Sequence, residues 1–478
     1  MKRSILFMLA GLVLSIPLFA GGTQESQAAT KSAVTLRIAA KDFTTDDPNN
    51  VTLLENITKA FSAKVGQQVN LTLVNVPSAS YAQKLNLMLM SGDVPDIIYF
   101  QGGDEQISSQ GMLVDLRPYI QKSAVMQKAL LWFNKTRMEN YPYLIWLAPP
   151  RIQVPLMRSD WFQQIGGKMP VTLDDYYQIL KSFSTTAFSN SQSPHYGITD
   201  TGNTARMDSM FDSAFGLTTT WVKDASGQWV YSRVTQNEKD ELAFYQKLYA
   251  EHILDPDYIT TKWDTMEDKL YTGKVGMVVG TAGTVVDIYE SKLAKANPNE
   301  KVGLVVGPPA KGKAQSYTID VSKESRGWAI STASKNKDLA WQLLDFMASD
   351  QGQTIDRLGI EGIHHVTSNG KITLTPKFAD WYPRFFEVVN WKSPVALHGE
   401  SANESLASAV KFGTVEDKNF VVPADLRPAW DAASNLFKET SYKIISGQEP
   451  LSSFDAFVKD WYSAGGQQVT DFANKTLK

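Results

Sequence analysis

VTLRIAAKDFTTDDPNNVTLLENITKAFSAKVGQQVNLTLVNVPSASYAQKLNLMLMSGDVPDIIYF, residues Val34–Phe100, changes hydrophobic period four times. VTLRIAA (34–40) suits a strand. Leu54, Ile57, Phe61 and Val65 then fall at helical spacing, with Gly66 placed to end the helix. Val69, Leu71 and Leu73 alternate as a second strand. Tyr81, Leu85, Met88 and Leu89 form a second helical stripe, stopped at Gly92. PDIIYF (95–100) is a short apolar run, as expected of a strand buried on both faces. The order β-α-β-α-β predicts the start of a doubly wound α/β lobe. Ligands of such lobes sit beyond the carboxyl ends of the strands. Three loops gain interest on that ground: Lys41-Asp42-Phe43, Pro77 to Tyr81, and Phe100-Gln101-Gly102-Gly103-Asp104.

Farther along, Tyr143 to Leu156 holds Pro149, Pro150 and Pro155 and reads as an extended crossing segment. Pro170-Val171-Thr172-Leu173-Asp174-Asp175 is a helix start. Thr172 is the N-cap, and the two carboxylates face the helix dipole rather than forming an acid/base couple. Gly276–Gly280, Val302–Val306 and Gly327–Ser331 read as short strands, and Ser334 as the cap of the helix that follows. Phe454, Phe457, Val458 and Trp461 make an apolar stripe in a mostly helical C-terminal part.

The 478 residues predict two to four domains. Apolar residues at 43% and a net charge of −3 exclude wholesale disorder and leave no basic excess for nucleic acid. Zero cysteines exclude disulfides, thiolate metal sites and cysteine nucleophiles. The 12 Trp, 18 Tyr and 22 Phe supply core, with some expected to line a cleft for a flat-faced ligand such as a sugar. Lys2 and Arg3 precede an apolar run to Ala20, which reads as a secretory signal (1–20), with 21–33 a flexible tether.

Most chemistry-bearing motifs fail. Gly307-Pro-Pro-Ala-Lys-Gly312-Lys313 imitates a phosphate-binding loop, but Ala314 stands where Ser or Thr must hold magnesium. No nucleophile elbow and no H-E-x-x-H is present. Facing carboxylates for glycoside hydrolysis cannot be read from sequence, so a secreted carbohydrate-active enzyme stays open as the alternative.

Ser91-Gly92-Asp93-Val94-Pro95-Asp96-Ile97-Ile98 resembles the S-G-D-x-P-D-[IV] signature of extracellular solute-binding proteins of ABC sugar importers. Gln110–Leu116, Arg158-Ser-Asp160-Trp161 with Pro170-Val-Thr172, Thr272–Met277 and Gly359-Ile-Glu361-Gly362-Ile-His364 resemble further family segments in order. The last is similar to the large subgroup that includes alginate-oligosaccharide-binding and LplA-type proteins. The resemblance implies a type II-like periplasmic-binding fold of two α/β lobes, each a doubly wound sheet flanked by helices, with extra C-terminal helices. It implies a first lobe of 34–148 plus 280–327 and a second of 152–276 plus 331–478. Hinge crossings are then expected near 149–151, 277–279 and 328–330. The implied activity is capture of a sugar or oligosaccharide and delivery to a permease by lobe closure, without catalysis. A peptide or other solute is a further alternative. No cofactor is expected. No metal is expected either, because Phe188–Gly197 lacks the acidic ligands of the calcium loop some relatives carry. A monomer, free in the periplasm, is expected because no lipobox cysteine is present. The expected ligand-binding residues are Lys41, Asp42, Tyr81, Phe100, Gln101 and Arg151 on one side, with Trp328, His364, His365 and Trp391 opposite.

Overall fold

The computed structural model describes residues 33–148, 151–320, 326–416, 420, 422–423 and 425–477. The expected signal and nearly all of the tether lie outside the described residues. No described helix is long and apolar enough to cross a membrane.

The opening stretch forms the elements its periods predict. Strand Val34–Ala39 pairs in parallel with Val69–Val74 on one side and with Ile97–Gln101 on the other. Helix Pro48–Val65 begins three residues before the expected Val51. Asp47 accepts the amide of Asn49 at its start, Pro48 suits the first turn, and Gly66 ends the helix at φ 65°. Strand Arg326–Ile330 returns from far along the chain to cover the Ile97–Gln101 edge in antiparallel register. The spatial order Arg326–Ile330, Ile97–Gln101, Val34–Ala39, Val69–Val74 puts a topological switch point at the carboxyl ends of the two central strands.

The second sheet is mixed. Val275–Thr281 lies between Tyr196–Ile198, parallel to it, and Gln153–Arg158, antiparallel; Leu304–Val306 covers the far edge. The six residues Val275–Gly280 are all buried. Thr172 caps helix Leu173–Thr185 as expected, its hydroxyl accepting the Asp175 amide while the Asp175 carboxylate accepts the Thr172 amide. Ser334 accepts the Asn336 amide, but helix Lys337–Ala348 takes Asn336 itself as N-cap. Phe454, Phe457 and Trp461 are buried in the core of this lobe, against Ile444 and Ile445 of helix Arg427–Ile445. The protein is therefore a two-lobed α/β molecule with added C-terminal helices.

The expected lobe boundaries need correction. Residues 280–327 were assigned to the first lobe, yet Val286, Tyr289, Leu293, Leu304, Val306 and Tyr317 pack on the second sheet. Residues from 331 onward were assigned to the second lobe, yet Leu339–Ala348 and Phe385–Val388 pack on Leu36 and Ile38 of the first. The expected crossing at 277–279 is the middle of one continuous strand. Gly276 and Gly280 in it serve packing: a Cβ would lie 2.4 Å from the Phe183 ring at Gly276 and 2.6 Å from Leu156 at Gly280. The expected crossing at 328–330 is likewise inside a strand of the first sheet. The chain passes between cores from Leu147 to Ile152, from Tyr317 to Arg326, and from Val388 to Ala402. Of the expected 149–151 crossing, Pro149 and Pro150 lie outside the described residues; the last passage was not among those expected.

Candidate functional site

A cleft of about 740 Å³ is lined from both lobes, a size typical of small-molecule sites. Lys41, Asp42 and Gln101 reach it from the switch point, Arg151 from the first passage and Trp391 from the third. Five of the ten expected residues thus come together.

The loop after the first strand is fixed by local bonds. Asp42 sits at φ 60°, accepts a 2.5 Å hydrogen bond from Ser78 and lies 3.4 Å from the Lys41 ammonium. The Asn50 amide donates to the carbonyls of Asp42 and Thr44, while its oxygen accepts from Arg384 Nε at 2.8 Å. One side chain therefore ties the switch-point loop to segment 382–388 on the cleft wall. Arg384 also donates to the Tyr382 carbonyl at 2.6 Å. Arg151 lies beside the Tyr382 hydroxyl.

The other five expected residues are buried behind the wall. Phe100 is wholly buried, since strand side chains alternate and Tyr99 and Gln101 take the cleft face. Tyr81 is buried and donates 2.7 Å to the Tyr99 carbonyl, bracing the strand. Trp328 has no exposure. Its indole donates to the Phe385 carbonyl at 3.0 Å and its ring stacks on Phe385 at 4.6 Å. His364 is buried against the Trp381 ring, and its Nδ1 accepts the Ile360 amide at 3.0 Å. Burial, with some help from His365 and Arg384, holds its pKa below the ordinary histidine value. His365 is buried with Nδ1 against the Leu358 carbonyl. The Gly359–His364 motif is thus a braced turn, with Gly359 at φ 71° and a Cβ there only 2.8 Å from the His364 ring.

Tyr99, Trp146, Tyr382, Glu387 and Arg357 line the cleft without having been foreseen. Strand parity pointed to Tyr99, since Gln101 and Phe100 cannot share a face. Tyr99 rests on Trp328 at 5.3 Å and lies 6.3 Å from Trp146. From the second lobe, Thr281–Thr284 bring the start of helix Thr284–Ala296, which no side chain caps. His398, also at the wall, lies 2.8 Å from Asp287.

Two lobes with a saccharide-sized cleft at a switch point agree with the sequence comparison. The profile of the bacterial extracellular solute-binding protein family matches residues 47–354. The chain belongs to that family. Lipoprotein LipO of Bacillus subtilis is 23% identical, over 95% of this chain and 94% of LipO. The polygalacturonan/rhamnogalacturonan-binding protein YtcQ of the same organism is also 23% identical, over 84% of each. The N-glycan transport solute-binding protein NgtS of Streptococcus pneumoniae superposes with a TM-score of 0.66 at 15% identity, over 93% of this chain and 98% of NgtS. Solute-binding proteins thus share the two-lobed frame while the ligands named for the relatives differ.

Proposed function

We propose that the chain is the substrate-binding subunit of an ABC importer and captures an oligosaccharide between its lobes. One observation carries this reading. Within one cleft the rings of Tyr99, Trp146 and Trp391 accompany Lys41, Asp42 and Gln101. Saccharides present apolar ring faces and polar edges, and such a mixture matches both. The ligands for which the relatives are named, polygalacturonan and N-glycan, are saccharides too.

The three passages between lobes serve as the hinge, and closure about them traps the ligand for delivery to a membrane permease. The ligand leaves unchanged. The protein works as a monomer outside the cytoplasm.

Titration of tryptophan fluorescence with a panel of oligosaccharides and peptides tests the reading. Saturable response to a saccharide, recovered intact by chromatography, is expected. Shorter products would establish an enzyme instead, and a response to peptides alone would replace the ligand class.

A further inference from the structure

Four cations line the cleft, and three have partners. Lys41 faces Asp42, Arg384 is held by Asn50 and the Tyr382 carbonyl, and Arg151 has the Tyr382 hydroxyl. Arg357 differs. It ends helix Asp350–Arg357, is 8% exposed, and has no hydrogen bond or ion pair among the described residues. The Trp391 ring lies 5.9 Å from the guanidinium carbon, and the Asp356 carboxylate interacts with the guanidinium by charge. Asp356, beside it in sequence, is occupied by the amides of Arg384 and Phe385.

The fold leaves this guanidinium without a hydrogen-bond partner, its nitrogens open to the ligand space rather than sealed from it. Its five donors form a planar fork that matches a carboxylate in bidentate fashion. The facing wall adds the uncapped start of helix Thr284–Ala296, whose partial positive charge also favours an anion. Asp42 and Glu387 are the acids of the lining. Asp42 is neutralised by Lys41, and Glu387 forms no ion pair with Arg357.

We infer that Arg357 is a specificity-determining residue that pairs with the carboxylate of an acidic sugar unit while Trp391 covers the ring beside it. This rests on the saccharide reading above and narrows it, since neutral sugars would leave the guanidinium unpaired.

The test is calorimetric titration of the full chain at low salt. The probes are oligomers of galacturonate, glucuronate and mannuronate/guluronate, each beside its methyl-esterified counterpart. At least one acid form is expected to bind tenfold or more tightly than its ester. Arg357→Gln should abolish that difference without lowering the melting temperature, and Arg357→Lys should keep part of it. If every ester binds as well as its acid, or only neutral saccharides bind, the inference is overturned and the saccharide reading stands. If no saccharide binds, both fall. A lower melting temperature for Arg357→Gln with acid preference intact would make Arg357 structural and overturn the inference.

Discussion

Two buried arginines of this molecule are solvated in opposite ways. Arg233, in the second lobe, lies within 3.3 Å of four carboxylates: Asp208, Asp212, Glu238 and Glu241. The Tyr245 hydroxyl lies within hydrogen-bond distance of Asp208 and Glu241. Arg357, on the cleft wall, makes no ion pair; Asp356 acts on it through its charge alone. A buried ion needs compensation from somewhere. For Arg233 the fold supplies all of it, so the residue is structural. For Arg357 the fold supplies only the charge of Asp356 and the end of its own helix, with no hydrogen bond, so its donors stay open to a molecule that arrives. Burial alone does not mark a functional charge; an arginine that opens on a cleft with no hydrogen-bond partner does.

The largest expected effect tests the first half of that contrast. Arg233→Met removes the one cation and leaves four carboxylates around an apolar side chain. Breaking a buried ion network in this way costs about 3–5 kcal/mol. In a lobe of this size that is a fall of roughly 10 °C in melting temperature, measurable by differential scanning calorimetry at pH 8. An unchanged melting temperature would show that the carboxylates do not depend on Arg233.

The cleft side is tested by Trp391→Ala. The ring packs on the edge of the first-lobe core and faces the ligand space. It is also the neighbour of Arg357. Removing it should weaken saccharide binding at least tenfold, or about 1.4 kcal/mol, with a smaller change in stability than Arg233→Met. Normal affinity by calorimetric titration would take Trp391 out of the site.

The parts of this contrast were unequally visible in the sequence. Lys41, Asp42 and Gln101 were legible because they follow strand ends in a β-α-β-α-β run, and chain topology alone brings those ends together. Phe100 was misread although alternation already placed it opposite Gln101. Trp328, His364 and His365 were misread because polar tips on large rings do not announce whether a backbone group will take them up. Trp328 uses the Phe385 carbonyl and His364 the Ile360 amide, and both partners depend on tertiary placement. The lobe boundaries failed for a related reason. They came from the resemblance, and which sheet a helix such as Thr284–Ala296 or Lys337–Ala348 packs on is settled only by tertiary placement. Arg357 was invisible in principle, because its significance is the absence of a partner in space.

The smallest effect concerns the protons of the Arg233 cluster. Burial raises Asp212 to about 8, opposed by Arg233 and reinforced by Asp208 and Glu238; burial likewise raises Glu238 to about 7. Both values lie above those of the unfolded chain, so the folded state holds these protons more tightly. The resulting stability is fully present below about pH 4 and is lost as pH rises through 7 to 8. Asp200, raised by burial to about 7, and Asp356, raised to about 6, act in the same direction. The melting temperature should therefore rise by a few degrees between pH 8.5 and pH 6. Asp212→Asn should remove part of that rise and leave the protein more stable than the parent at pH 8.5. If Asp212→Asn instead lowers stability at pH 8.5, the ionised carboxylate is needed there, and Arg233 is less fully compensated than the four neighbouring acids suggest.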